Sequence, residues 1–156
     1  MKFFQISPQC VGTTGDETIC SDWSARPVAF QKLQFELELW PEDDLIEASF
    51  SAYAGTRRLA DAIKAAGLTG IEFDRLDMIK YDQFWLWEEE HQGETIPEYL
   101  WFKFPGEPGI NDFGQIPLPV VMELTISERA LAVLKQFRIE NCQIKDFDPS
   151  VLIALS

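Results

Sequence analysis

The stretch SERALAVLKQFRIENCQIKDFD, residues Ser127 to Asp148, predicts one short helix, a turn and one strand. Ser127 is a suitable N-cap, because its hydroxyl can accept a hydrogen bond from an unpaired N–H of the first helical turn. A buried helical stripe follows at i, i+3, i+4 and i+7, formed by Ala130, Val133, Leu134 and Phe137. After the turn, Cys142 and Ile144 alternate with polar residues, as in a half-buried strand. The segment Val120 to Ile126 is rich in β-formers and predicts another strand.

The same pattern occurs 71 residues earlier in the chain. Thr56 matches the N-cap Ser127, and Arg58 matches Arg129. The apolar positions match in order as well, namely Leu59, Ala62, Ile63 and Ala66 in the helix and Leu68, Ile71 and Phe73 after it. Two unrelated helix–strand units could share such a pattern by chance. We favour a repeat of two strand–helix–strand units, at about 46–77 and 118–148, packed on a common sheet.

Further strands are expected outside the two units. Leucines and Phe35 alternate with polar residues from Gln31 to Trp40, and Tyr99 to Phe104 is an apolar, β-forming run. Helices and strands are mixed without the regular alternation of a doubly wound fold. The sequence therefore predicts a single α+β domain over residues 1–156, with a mixed or antiparallel sheet and two short helices.

Composition limits the classes of function. With 26 acidic and 13 basic residues, the chain carries a formal net charge of −13. This charge argues against binding to nucleic acid phosphates and to anionic membranes, since both need clustered Lys and Arg. It suits a partner with a basic surface, although solubility alone would also explain it. We see no signal peptide and no apolar run of about 20 residues, so a cytoplasmic location is expected.

The best candidates for a binding surface are aromatic and acidic residues that lie close together in the sequence. Trp85 and Trp87 run directly into Glu88, Glu89 and Glu90. On a strand, the two tryptophans would share one face, which is either an exposed patch rimmed by carboxylates or part of the core. A second acidic group, Asp43 and Asp44, lies in the predicted turn after Pro41. We expect these seven residues to include the partner-binding set.

Catalytic chemistry has fewer candidates. His91 is the one histidine, so a nucleophile–histidine dyad would have to use it, and a solvated surface position is the simpler interpretation. An acid–base pair of His91 with Glu88 or Glu90 remains an alternative. The sequence offers no metal site built on His or Cys and no phosphate-binding loop, so we expect no metal and no cofactor. A carboxylate site for a hard cation stays open as an alternative, from Glu88, Glu89, Glu90 and Glu94 or from Glu42, Asp43 and Asp44. Asp112-Phe113-Gly114 spells DFG without any other kinase motif, and we interpret it as a turn.

Four stretches of the chain resemble bacterial immunity proteins of polymorphic toxin systems. They are MKFFQIS at the start, DDLIEASFSAYAGTRRLADAIKAAGLTGIEFDRLD from Asp43, FPGEPGINDFG from Phe104, and LTISERALAVLKQFRIENCQIKDFD from Leu124. The shared motifs fall on Thr56 to Phe73, Gly106 to Gly114 and Ser127 to Ile144. They are structural motifs, and no catalytic residue comes with them.

The resemblance implies a cytosolic antidote that binds a cognate toxin domain and needs no turnover. An acidic antidote would suit a basic toxin, such as a nuclease with a positive substrate channel. Two alternatives stay open. One is a small enzyme with a carboxylate-based site, and the other is a homo-oligomeric structural subunit whose Trp-rich segment forms the subunit interface.

Overall fold

The computed structural model describes residues 2–25, 28–116 and 124–154. Its fold is α+β, as predicted, and consists mostly of short strands. In chain order, the strands are β1 Phe3–Ser7, β2 Gln9–Cys10, β3 Gly12–Thr14, β4 Ile19–Cys20, β5 Phe30–Lys32, β6 Gln34–Leu37, β7 Leu45–Ala48, β8 Ala52–Thr56, β9 Glu72–Asp74, β10 Asp77–Lys80, β11 Tyr99–Lys103, β12 Phe113–Gln115, β13 Leu124–Ser127 and β14 Gln143–Phe147. The helices are α1 Arg57–Ala65, α2 Trp85–Glu90, α3 Glu128–Leu134 and α4 Ser150–Ala154.

The predicted repeat is visible in the sheets, but the two units do not share one sheet. The first unit contributes β7, β8 and β9 to a sheet of order β2-β7-β8-β11-β9, and the second contributes β13 and β14 to a sheet of order β12-β13-β1-β14, in which β12 precedes the predicted unit. In each sheet a hairpin leads into the helix, and the strand after the helix lies two places away. The prediction of a common sheet is therefore wrong. Residues 118–123, which belong to the second predicted unit, lie outside the described part of the chain.

In each of these two sheets, a strand from outside the strand–helix–strand unit lies between the strand before the helix and the strand after it. In the first sheet β11 lies between β8 and β9, with Tyr99 opposite Thr56 and Phe102 opposite Phe73. In the second sheet β1 takes the equivalent place, with Phe3 opposite Ser127 and Ile6 opposite Ile144. The inserted strand therefore follows the first unit in the sequence but precedes the second, so the two sheets are related by a permuted chain order.

The helix starts follow the prediction closely. The Thr56 hydroxyl accepts a hydrogen bond from the Leu59 amide, and the Ser127 hydroxyl accepts one from the Ala130 amide. The buried stripe differs from the predicted one: the buried helix residues are Leu59, Ala60 and Ile63 in α1 and Ala130, Leu131 and Leu134 in α3. These triplets match at the same offset of 71 and meet in one apolar core, which also takes in Tyr53, Phe102 and Phe113.

Two buried carboxylates anchor the helix starts in the same way, Asp44 at the start of α1 and Asp112 at the start of α3. We call these arrangements the first and the second carboxylate clamp. In the second clamp, Asp112 accepts hydrogen bonds from the Ser127 hydroxyl at 2.6 Å and from Arg129 Nε and Nη2 at 2.9 and 2.8 Å. It also accepts one from the Thr69 amide, which belongs to the other unit. The interpretation of Asp112-Phe113-Gly114 as a turn is therefore wrong, because Asp112 is a buried anchor and Phe113 begins β12.

A second core lies beneath a smaller sheet of order β10-β6-β3 and carries helix α2. Phe35 and Leu37 of β6 are buried there together with Trp40, Trp101 and Phe84. The strand expected around Trp85 and Trp87 is wrong, because α2 occupies these positions. The residues of this segment that face the core, Phe84, Trp87 and His91, have the spacing i, i+3, i+7 of a helix rather than the period of a strand.

Candidate functional site

Helix α2 is held on the second core by one side only. Phe84, at its N-cap, is fully buried, and its ring is stacked on Trp40 with centroids 6.1 Å apart. Trp87 packs against the same core one turn later. The Glu88 carboxylate lies 3.0 Å from the Lys80 ammonium of β10. These contacts fix the inward side of α2 and leave its opposite side toward solvent.

The opposite side of α2 combines two large apolar side chains with two carboxylates. Trp85 and Leu86 are 53% and 48% exposed, and Glu89 and Glu90 are exposed as well. We call these four residues the α2 face. Scattered apolar residues are normal on a protein surface, but Trp is among the residue types most enriched at the energetic anchors of protein interfaces.

The surroundings of the α2 face are strongly acidic. Residues 81–98 contain six carboxylates and no Lys or Arg; the six are Asp82, Glu88, Glu89, Glu90, Glu94 and Glu98. Lys80, the basic residue just before this segment, is already paired with Glu88. Glu98 is paired with Arg57 as well, and the segment that carries Trp85 still has a net negative charge, which favours the approach of a cationic surface.

The structure separates the predicted residues of this segment. Trp85, Glu89 and Glu90 lie on the α2 face. Trp87 faces the core instead, and Glu88 lies at the flank in its ion pair with Lys80. The expectation that the two tryptophans share a face is wrong, because residues i and i+2 lie on different sides of a helix.

Asp43 and Asp44, the candidate partner-binding residues of the predicted turn after Pro41, lie inside the fold. Both are buried, and their carboxylates are engaged within the chain. Asp44 forms the first carboxylate clamp, with Thr56 Oγ1 at 2.6 Å, Arg58 Nε and Nη2 at 2.9 and 2.8 Å, and the Arg138 amide at 2.9 Å. The Arg58 guanidinium and these hydrogen bonds outweigh burial, which by itself disfavours the charged form, and lower the pKa of Asp44.

Asp43 links the two units by a different set of bonds. Its carboxylate accepts hydrogen bonds from the Asn141 amide and side chain at 2.8 and 3.2 Å, and its backbone carbonyl accepts one from the Tyr99 hydroxyl at 2.6 Å. Burial raises the pKa of Asp43, and its bonds to Asn141 oppose that rise. These contacts make Asp43 and Asp44 internal anchors of the fold, a role that the sequence analysis missed. The signal was the repeated Arg58 and Arg129, since matched cations at two helix starts call for matched anions.

The histidine is not a solvated surface residue. Its ring lies flat on Trp40, with centroids 4.2 Å apart and planes 3° apart, and its side chain is only 14% exposed. Its charged neighbour is Glu42, with Nε2 and Oε1 3.3 Å apart. The sequence analysis considered an acid–base pair of His91 with Glu88 or Glu90. In the structure, the His91 ring instead contacts the Glu42 side chain and the backbone carbonyl of Trp87 in α2.

Further findings limit the kind of site. In residues 2–25, 28–116 and 124–154, no group of three or more His, Cys, Asp and Glu side chains could hold a metal ion. None of the helices in that part of the chain combines the length and apolar character needed to cross a membrane. No model of a known protein family matches the chain, and no curated protein matches it. The α2 face is therefore interpreted from its own residues.

Proposed function

We propose that this protein is an immunity-type binding module, which neutralises a basic toxin domain by binding it through the α2 face. The observation that carries the proposal is the exposure of Trp85 and Leu86 beside Glu89 and Glu90 on a helix that is otherwise packed into the core. The net charge of −13 and the sequence resemblance to immunity proteins support the same function.

The placement of the glutamates also favours a binding role. Glu89 and Glu90 lie in the last turn of α2, close to the negative end of the helix dipole, where carboxylates are unfavourable. That turn contains no Lys or Arg. Residues that work against their own local structure are commonly functional ones. Here the gain would come from pairing with cations of a partner.

The chemistry of the α2 face suggests how each group contributes. Trp85 would fill an apolar pocket of the partner, because large aromatic side chains dominate interface energies. The carboxylates would speed association and fix orientation, since complementary charges act mainly on the association rate. A nuclease domain is the basic toxin that we propose, because its substrate channel must attract phosphates, and the acidic residues of segment 81–98 would occupy that channel in place of phosphates.

A capture experiment with matched variants tests this proposal. Lysate from the source cells is passed over the tagged protein at low and high salt, and bound proteins are identified by mass spectrometry. The baits are the wild type, Trp85→Ala, and the charge reversal Glu89→Lys/Glu90→Lys. A further double variant, Asp16→Lys/Glu107→Lys, has the same change in net charge at exposed positions outside α2.

The proposal expects one basic protein that the wild type and the Asp16/Glu107 variant retain and that high salt releases. Trp85→Ala should weaken binding by about 30-fold, which corresponds to about 2 kcal/mol for an interface anchor. Expression of the captured protein alone should arrest cell growth. Co-expression with the wild-type protein should restore growth, and co-expression with Trp85→Ala should not. Equal retention by all four baits, or a captured protein whose expression is harmless, would refute the proposal.

A further inference from the structure

The single histidine lies where helix α2 meets the rest of the fold. His91 is the C-cap residue of α2, and its backbone amide donates to the Glu88 carbonyl at 3.2 Å. Its ring is stacked on Trp40, which precedes β7. A side chain in this position joins the C-terminal end of α2 to segment 40–44. The contacts that fix the His91 ring therefore also fix the C-terminal end of α2.

Both ring nitrogens of His91 face hydrogen-bond acceptors. Nδ1 lies 2.7 Å from the backbone carbonyl oxygen of Trp87, and Nε2 lies 3.3 Å from Oε1 of Glu42. A carbonyl oxygen and a carboxylate can only accept, and neutral imidazole carries one N–H. Only the doubly protonated ring can donate to both, so the arrangement is complete only when His91 is cationic.

The charged groups around the ring come from three segments. Glu42 lies in segment 40–44, Glu94 in the loop after α2, and Arg138 in the loop after α3. Arg138 Nη2 is 3.4 Å from Glu42 Oε2 and also 3.4 Å from Glu140, so its charge is shared between two carboxylates. The bond to the Trp87 carbonyl raises the pKa of His91 above its ordinary value of 6.5. Glu42 and Glu94 act in the same direction, while burial opposes them.

The position also favours a cation for two local reasons. The C-terminal end of a helix carries a partial negative charge, which stabilises an imidazolium. The face of an indole ring attracts a cation that lies over it, and Trp40 provides that face. Neutral His91 would lose both interactions and one of its two hydrogen bonds.

We propose that protonated His91 is a latch that fixes α2 against Trp40 and Glu42, and that loss of its proton loosens the C-terminal end of α2. The consequence for binding rests on the proposed function of the α2 face: Glu89 and Glu90 lie in the same turn as the latch. A partner that needs this turn fixed would bind more weakly as the pH rises through the titration of His91.

The latch can be tested on the free protein, without any partner. Because the chain has one histidine, a two-dimensional NMR spectrum of the ¹⁵N-labelled protein shows a single pair of imidazole nitrogens, which is followed from pH 5 to pH 9. We expect a midpoint above 6.5, with both nitrogens protonated below it. Glu42→Gln should move the midpoint down, and Glu107→Gln, a matched change at an exposed site outside α2, should leave it in place.

Hydrogen exchange of the α2 amides provides the second readout. After correction for the intrinsic pH dependence of exchange, protection of the Glu88 and His91 amides should fall as the pH rises through the midpoint. In Glu42→Gln the fall should occur at the lower midpoint. A midpoint at or below 6.5, an unshifted midpoint in Glu42→Gln, or constant protection across the titration would each overturn the latch. If the wild type captures no basic partner but the NMR titration of His91 behaves as expected, the result would count against the proposed function alone.

Discussion

Removal of the Asp112 carboxylate should destabilise the fold by several kcal/mol. Asp112 is buried and accepts hydrogen bonds from Ser127, Arg129 and Thr69. In Asp112→Ala the Ser127 hydroxyl and the Thr69 amide lose their acceptor, at a cost of about 1–3 kcal/mol each. The Arg129 side chain is 54% exposed, so water can take over much of its bonding. Removing one partner of a fully buried ion pair costs roughly 3–5 kcal/mol in all, and the exposure of Arg129 places the whole loss in Asp112→Ala at the lower end of that range, about 3 kcal/mol.

Urea unfolding at pH 7, followed by circular dichroism and tryptophan fluorescence, measures this loss. A change of about 3 kcal/mol should also lower the melting temperature by roughly 6–12 °C in a protein of this size. Asp44→Ala removes the equivalent acceptor from the first carboxylate clamp and should cost a similar amount, because its bonds to Thr56 and Arg58 have the same lengths.

The control is Asp146→Ala, which removes a carboxylate that is paired with Lys2 at 3.5 Å on the surface. Exposed pairs contribute about 0–1 kcal/mol, so this variant should unfold almost like the wild type. A loss below about 1 kcal/mol in Asp112→Ala, or a loss no larger than that of the control, would refute the idea that the carboxylate clamps hold the helix starts.

Three further predictions follow from the buried polar groups. Hydrogen bonds to the ionised carboxylate hold the pKa of Asp112 far below its ordinary value of 3.8. The carboxylate therefore contributes fully to the free energy of unfolding above pH 3.8, and this contribution is lost as the pH falls toward the folded-state pKa. The difference in unfolding free energy between the wild type and Asp112→Asn, measured in urea, should narrow on acidification below pH 3.8. Tyr99→Phe leaves the buried carbonyl of Asp43 without its donor and should cost about 1–3 kcal/mol in the same assay, whereas Tyr81→Phe on the surface should cost little. Cys142 is half-buried, and this burial raises the pKa of its thiol to about 12. At pH 8 its alkylation, followed by mass spectrometry of its peptide, should therefore be at least about 100-fold slower in the folded protein than in urea, and equal rates would contradict the raised pKa.

The helix starts could be predicted from sequence because their signals are local. Thr56 and Ser127 precede apolar residues at helical spacing, and this pattern recurs at an offset of 71, so both caps and both helices were found. The helix α2 was missed because its Trp and Phe residues favour strands, and packing overrode that preference. The signal that could have corrected it was the spacing of Phe84, Trp87 and His91, which suits a helix and not a strand.

Contacts between distant residues could not be predicted in the same way. The sequence placed a strand at the start of the chain, but nothing in it specified that this strand would lie between β13 and β14. The burial of Asp43 and Asp44 likewise depends on Asn141 and Arg138, which lie more than 90 residues away. Of the four residues of the α2 face, Trp85, Glu89 and Glu90 were candidates from the sequence, whereas the exposure of Leu86 and the separation of Trp85 from Trp87 required the structure.

The permuted order of the second sheet has a consequence for synthesis on the ribosome. Strand β1 emerges first, but its neighbour β13 follows about 120 residues later, since Ile6 lies opposite Leu124. At roughly 5–20 residues per second, β1 waits about 6–24 s with both edges unpaired, while the sheet around β8 and β11 can already form. Nascent chains should therefore pass through a stage in which the sheet around β8 and β11 is formed while β1 is still open to chaperones or to other chains.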